Sequence, residues 1–116
     1  MIVEEAITSE ILEAVERLYC LREPPEVRRF LSSHSFLIPL VFQAHDRIGS
    51  YFAPLQFTLQ VIAEPESVND QQLVLFMAVD LSPAEALARL QQFDNDWWLD
   101  AMDEAKGKLC ISLEFR

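Results

Sequence analysis

Apolar positions recur along this chain at two periods, and the switch between them predicts the order of elements. Thr8 or Ser9 can cap a first helix. Behind them Ile11, Leu12, Val15, Leu18 and Tyr19 fall at helical spacing on one face, with Glu10, Glu13, Glu16 and Arg17 off it. Pro24 and Pro25 stop this helix, and Pro25 can open the next, the short PEVRRFL. SSHS (32–35) breaks the pattern with capping residues. FLIPLVFQAHDRI then predicts a third helix, with Ser35 as cap and Pro39 in the first turn, where a missing N–H does little harm. Residues 36–42 are apolar on every side, which marks this helix as central. It ends at Gly49 or runs on through Tyr51.

The period then changes to two. In LQFTLQVIA (55–63), Leu55, Phe57, Leu59, Val61 and Ala63 alternate with Gln56, Thr58, Gln60 and Ile62, which predicts a half-buried strand with one mostly polar face. EPESVND (64–70) is a polar turn, and QLVLFMAVD (72–80) is a second strand, apolar on both faces. Adjacent strands with a short connection pair as a hairpin. SPAE (82–85) opens a helix: Ser82 caps, Pro83 takes the first position and Glu85 closes a capping box. Leu87 and Leu90 start its apolar face. Gly107 marks its far end, with Lys106 favourably placed against the helix dipole. LCISLEF (109–115) is the last strand, with Leu109, Ile111, Leu113 and Phe115 facing one way.

The order ααα-β-β-α-β predicts an α+β fold over residues 1–116, read as a single globular domain. About four helices pack on one face of a small three-stranded antiparallel sheet. The expected strand order is 2-1-3, with the last strand beside the first strand of the hairpin and covering its open side.

FDNDWWLD (93–100) disturbs the long helix from Pro83. Phe93, Trp97, Leu90, Ala101, Ala105, Trp98 and Met102 share one arc, but Asp94 falls inside it. A restart resolves this. With Asp94 as a new N-cap, Phe93 and Trp98 stand at the spacing of a hydrophobic staple, and Asp96 lies where the helix dipole favours a negative charge. On that reading at least one tryptophan anchors the helix to the sheet. A ring left exposed inside the acidic rim would instead form a surface for a basic partner, with Trp97, Trp98, Asp96, Asp100 and Asp103 as its candidate residues.

Composition narrows the function classes. Nineteen acids against nine bases give a net charge of −10, which repels phosphate backbones and anionic membrane surfaces. No nucleic-acid or membrane partner is therefore expected. The acidic N-terminus is not a secretory signal, and the seven-residue apolar runs 36–42 and 73–79 are far below the roughly twenty residues of a membrane span. A cytoplasmic protein with reduced thiols follows. His34, His45, Cys20 and Cys110 match no zinc spacing, so no metal or cofactor is expected. The cysteines read as small buried hydrophobes, and no catalytic residue stands out.

PEVRRFLSSHSFLIPL, FDNDWWLD and GKLCISLEFR together resemble a set of short uncharacterised proteins found chiefly in cyanobacteria. The resemblance covers most of the chain and implies a cytoplasmic bacterial protein; it brings no activity and no site residues. The functional expectation is a non-enzymatic protein-interaction module, binding itself or another, basic, protein through the Trp97/Trp98 region or an open strand edge. The alternative is a small-molecule-binding or hydrolytic domain using the acidic helix face 94–104.

Overall fold

A computed structural model of the 116-residue chain describes residues 9–63 and 71–115. The Thr8 cap and the 64–70 turn lie outside the described residues. The elements run α1 (Ser9–Leu18), β1 (Cys20–Leu21), α2 (Pro24–Ser33), α3 (Leu37–Tyr51), β2 (Gln56–Ala63), β3 (Gln71–Val79), α4 (Pro83–Phe93) and β4 (Leu109–Phe115). Between α4 and β4 the chain stays helical through a π-helical turn (Asp94–Trp98), one α-helical turn (Leu99–Ala101) and a 3-10 turn (Met102–Ala105).

The α+β class holds, and the sheet differs from the expected one. It is four-stranded and mixed, in the order β1-β2-β3-β4. β2 and β3 form the predicted antiparallel hairpin, from Gln56↔Ala78 to Ala63↔Gln71. β4 runs parallel to β3, as its helical crossover requires, but also lies beside β3, in register Leu73↔Leu109 to Val79↔Phe115. The expected 2-1-3 order is therefore wrong. The far side of β2 is taken by β1, a parallel two-residue strand pairing Cys20↔Thr58 and Leu21↔Leu59. The Arg22 N–H adds a 3.0 Å bond to the Leu59 carbonyl. Two residues are too few to show a period, which is why β1 left no trace in the sequence pattern.

One hydrophobic cluster joins the helices to one face of the sheet. Val15 of α1, Tyr19 just after it, Val27, Phe30 and Leu31 of α2, and Leu37, Leu40, Val41, Ala44 and Ile48 of α3 meet Leu59, Leu73, Leu75, Met77 and Val79 there. The Tyr19 hydroxyl is the polar exception: it donates 2.8 Å to the Val41 carbonyl, which satisfies it inside the core. α3 is the central helix its sequence predicts, and it runs past Gly49 to Tyr51. Its first turn is not capped by Ser35. Phe36 takes the cap position, and the His34 and Ser35 carbonyls accept the Leu37 and Ile38 N–H groups.

The helix from Pro83 brings further corrections. Ser82 Oγ accepts the Glu85 N–H at 3.2 Å, as predicted, but the Glu85 carboxylate turns to Arg89 Nη2 at 2.7 Å and does not close a capping box. Leu87 is 58% exposed, and the buried face starts at Ala86 and Phe93 with Leu90 half-buried. Asp94 is not an N-cap. Its backbone is helical (φ −59°, ψ −48°), and its carbonyl accepts the Leu99 N–H, five residues on. A π-turn inserts one residue into the helix and shifts its phase without breaking it. That shift resolves the misplaced Asp94 by a different route from a restart. At the far end Lys106 and Gly107 both take left-handed backbone (φ 54° and 75°) and deliver the chain to β4.

Candidate functional site

The π-turn sorts the residues of FDNDWWLD into separate environments. Trp98 is buried at 8% exposure and belongs to the core cluster. Trp97 is half-buried, with its ring 5.6 Å from Phe93, 5.7 Å from Trp98 and 5.9 Å from the Arg47 guanidinium. The aromatic neighbours of Phe93 are therefore Tyr51, at 5.7 Å, and Trp97, in place of the expected Trp98. Asp96 Oδ2 accepts a 2.7 Å bond from the Tyr51 hydroxyl, and this bond raises the Tyr51 pKa above its ordinary value of 10.0. Burial pushes the Asp94 carboxyl above its ordinary value of 3.8.

Asp96, Asp100 and Glu104 stand four residues apart, so a helical backbone stacks them on one face. With Gln43, Trp97 and Ala101 they line an open groove of about 230 Å³. The structure thus gathers Asp96, Trp97 and Asp100 of the predicted surface and adds Glu104 and, from α3, Gln43. Trp98 goes to the core, and exposed Asp103 lies outside the groove. The contributions of Gln43, Arg47 and Tyr51 come from an element some fifty residues away, and no local pattern announces them.

The sheet face away from the helices is crossed by Arg22. Its guanidinium contacts Gln60 Oε1 at 3.2 Å, lies 5.1 Å from the Phe76 ring centre and pairs with Glu114 at 3.0 Å. One cation therefore spans β2, β3 and β4, and holds Glu114 over the sheet. Both cysteines are free and exposed, which corrects the expectation that they are buried. Cys110 alternates out of the core with Ser112 and Glu114, and Cys20 shares the register row of Thr58.

Among the described residues β4 closes the sheet on one side, and its outer edge is open. The Leu73 N–H donates to the Lys108 carbonyl at 2.8 Å. In a parallel ladder this turns the backbone groups of Lys108, Cys110, Ser112 and Glu114 toward β3. The N–H and C=O groups of Leu109, Ile111, Leu113 and Phe115 then point away from the sheet. Among the described residues nothing hydrogen-bonds to that edge. The side chains beside it are apolar and incompletely covered: Ile111 and Leu113 are half-buried and Phe115 is 49% exposed.

Among the described residues no group of three His, Cys, Asp or Glu side chains is placed to hold a metal ion, and no helix is long and apolar enough to cross a membrane. Comparison with protein-family models, curated proteins and solved structures gives no match.

Proposed function

We propose that this chain is a non-enzymatic protein-interaction module that docks through the outer edge of β4. The observation that carries this reading is a seven-residue edge strand whose outward backbone groups are unpaired among the described residues, with apolar side chains at its margin. Such an edge is a template for strand addition, and proteins that work alone protect theirs with prolines, bulges or charges aimed outward. β4 has no proline, and its one charged residue, Glu114, is held back across the sheet by Arg22. The partner is a second copy or another protein, a basic one being favoured by the net charge of −10. The compartment is the cytoplasm, where exposed free thiols stay reduced.

The acidic face 94–104 supports a small-molecule or hydrolytic reading less well. The carboxylates lining its groove are exposed, and Asp94, the one that burial pushes up, does not line it.

Amide exchange tests the docking edge. In the complex retained by tagged protein from its native cytoplasm, the amides of Leu109, Ile111 and Leu113 should become protected. In the isolated chain at high dilution they should exchange faster than those of Cys110 and Ser112. Outward amides that stay unprotected in every retained complex would remove β4 from the interface.

A further inference from the structure

The reading above leaves the occupant of the β4 edge unnamed. Resting on that reading, we infer that the occupant is a second copy of this chain, added antiparallel to β4 about a two-fold axis at Ile111.

Three properties of the strand point to this arrangement. The first is hydrogen-bond parity. Two outer edges pair only if the outward groups of one strand meet the outward groups of the other. An axis at Ile111 sets Ile111 against itself and Leu109 against Leu113, all of them outward residues. The second is the order of side chains. Residues directly opposite each other share a face of the sheet, and such pairs are the unit of sheet stabilisation. Leu109, Ile111 and Leu113 would then cover one another on the helix-covered face, where the last two lie half-exposed. Cys110 would meet Ser112 on the other face, small against small.

The third is charge. The same axis puts Lys108 opposite Glu114 of the second copy, twice by symmetry. Among the described residues the Lys108 ammonium makes only a long 3.4 Å contact with the Gln71 carbonyl. Glu114 would lie between Arg22 of its own chain and Lys108 of the other. A chain of net charge −10 resists self-association in general, so a dimer contact must be locally neutral, as this one is. The register centred on Ser112 sets Glu114 against Cys110 and leaves Lys108 with no acid opposite it, while Glu114 keeps only Arg22 of its own chain. The two four-stranded sheets would join into one continuous eight-stranded sheet, an isologous interface in which the same residues serve both sides.

Cysteine cross-linking and sedimentation test the axis. In a Cys20→Ser background, Ser112→Cys should give a covalent dimer on mild oxidation with diamide, because Cys110 of the second copy stands opposite. Adding Cys110→Ser should abolish it. A dimer that persists in that variant places the axis at Ser112 and overturns the register. By analytical ultracentrifugation the unmodified chain should have twice the mass of one chain. Ile111→Pro should halve it, since this proline removes only an outward N–H and spares the ladder to β3. If Ile111→Pro does not fold, the cross-link decides alone. A monomeric chain whose β4 amides are protected by a different protein would overturn the second copy and leave the docking edge intact. A monomer whose outward amides are never protected would overturn both.

Discussion

The Tyr51 hydroxyl donates a 2.7 Å hydrogen bond to Asp96 Oδ2, fastening the last residue of α3 to the π-turn forty-five residues later. The bond favours the neutral phenol, because the tyrosinate would lose a donor and face a carboxylate. Removing the acceptor must therefore lower the Tyr51 pKa. Asp96→Ala should shift the alkaline tyrosinate absorbance transition down toward pH 10.0, the ordinary value. Tyr19, the other tyrosine, does not confuse the readout, since burial pushes its phenol far above the range of the experiment. An unshifted transition would mean that Tyr51 and Asp96 do not meet in solution.

Asp94 makes stability depend on pH with an unusual sign for a carboxylate. Its folded pKa lies above 3.8 because burial disfavours the charge. Between 3.8 and the folded value the folded state holds more of the proton than the unfolded state does. Stability falls as pH rises through that window and stays lower above it. Asp94→Asn should therefore raise the denaturation midpoint at neutral pH, with the gain vanishing below pH 3.8. A cap residue would behave in the opposite way, and a destabilised variant would restore Asp94 as a cap.

The two tryptophans should separate sharply. Trp98→Ala empties a core site and should cost about 3–5 kcal/mol, the usual range for a buried large aromatic. Trp97→Ala should cost clearly less, since part of that ring already faces solvent. Urea unfolding of the two variants measures the difference. Trp97 is consequently the substitution that probes the acidic groove without dismantling the core.

Tyr19→Phe removes a buried hydrogen bond to the Val41 carbonyl, which keeps only its partner within α3. The expected loss is about 1–2 kcal/mol, read as a lower urea midpoint with an unchanged slope.

Ser82→Ala removes the side chain that accepts the Glu85 N–H. It should cost about 1 kcal/mol. Glu85→Gln should cost less, because that carboxylate serves only an exposed pair with Arg89.

Much of the fold was legible in short-range pattern. The period-two run 55–63, the Ser82–Pro83 start and the apolar helix 36–48 each depend on neighbours within a few residues. The sequence also marked Asp94 as the place where a simple helix fails. It could not say how, because one inserted residue and a restart mend the same phase error. The candidate site was half legible. Asp96, Asp100 and Trp97 carry their spacing with them, but the same spacing puts Trp98 and Asp103 on a face they do not share. The groove is completed by Gln43 from a distant helix.

For every element but β1 the sequence by itself determined whether the segment is helix or strand, and for most of them which face is apolar, because those properties follow from the period of side chains along one backbone. Only the tertiary structure decided which edge stays open. Strand order depends on competition for the two sides of the β2–β3 hairpin, and a two-residue strand fixed by the Arg22 N–H and the Leu59 carbonyl took one of them. β4 was left beside β3 with its outer backbone unpaired among the described residues. The Arg22–Glu114 pair joins residues ninety-two positions apart, a distance over which no sequence period extends.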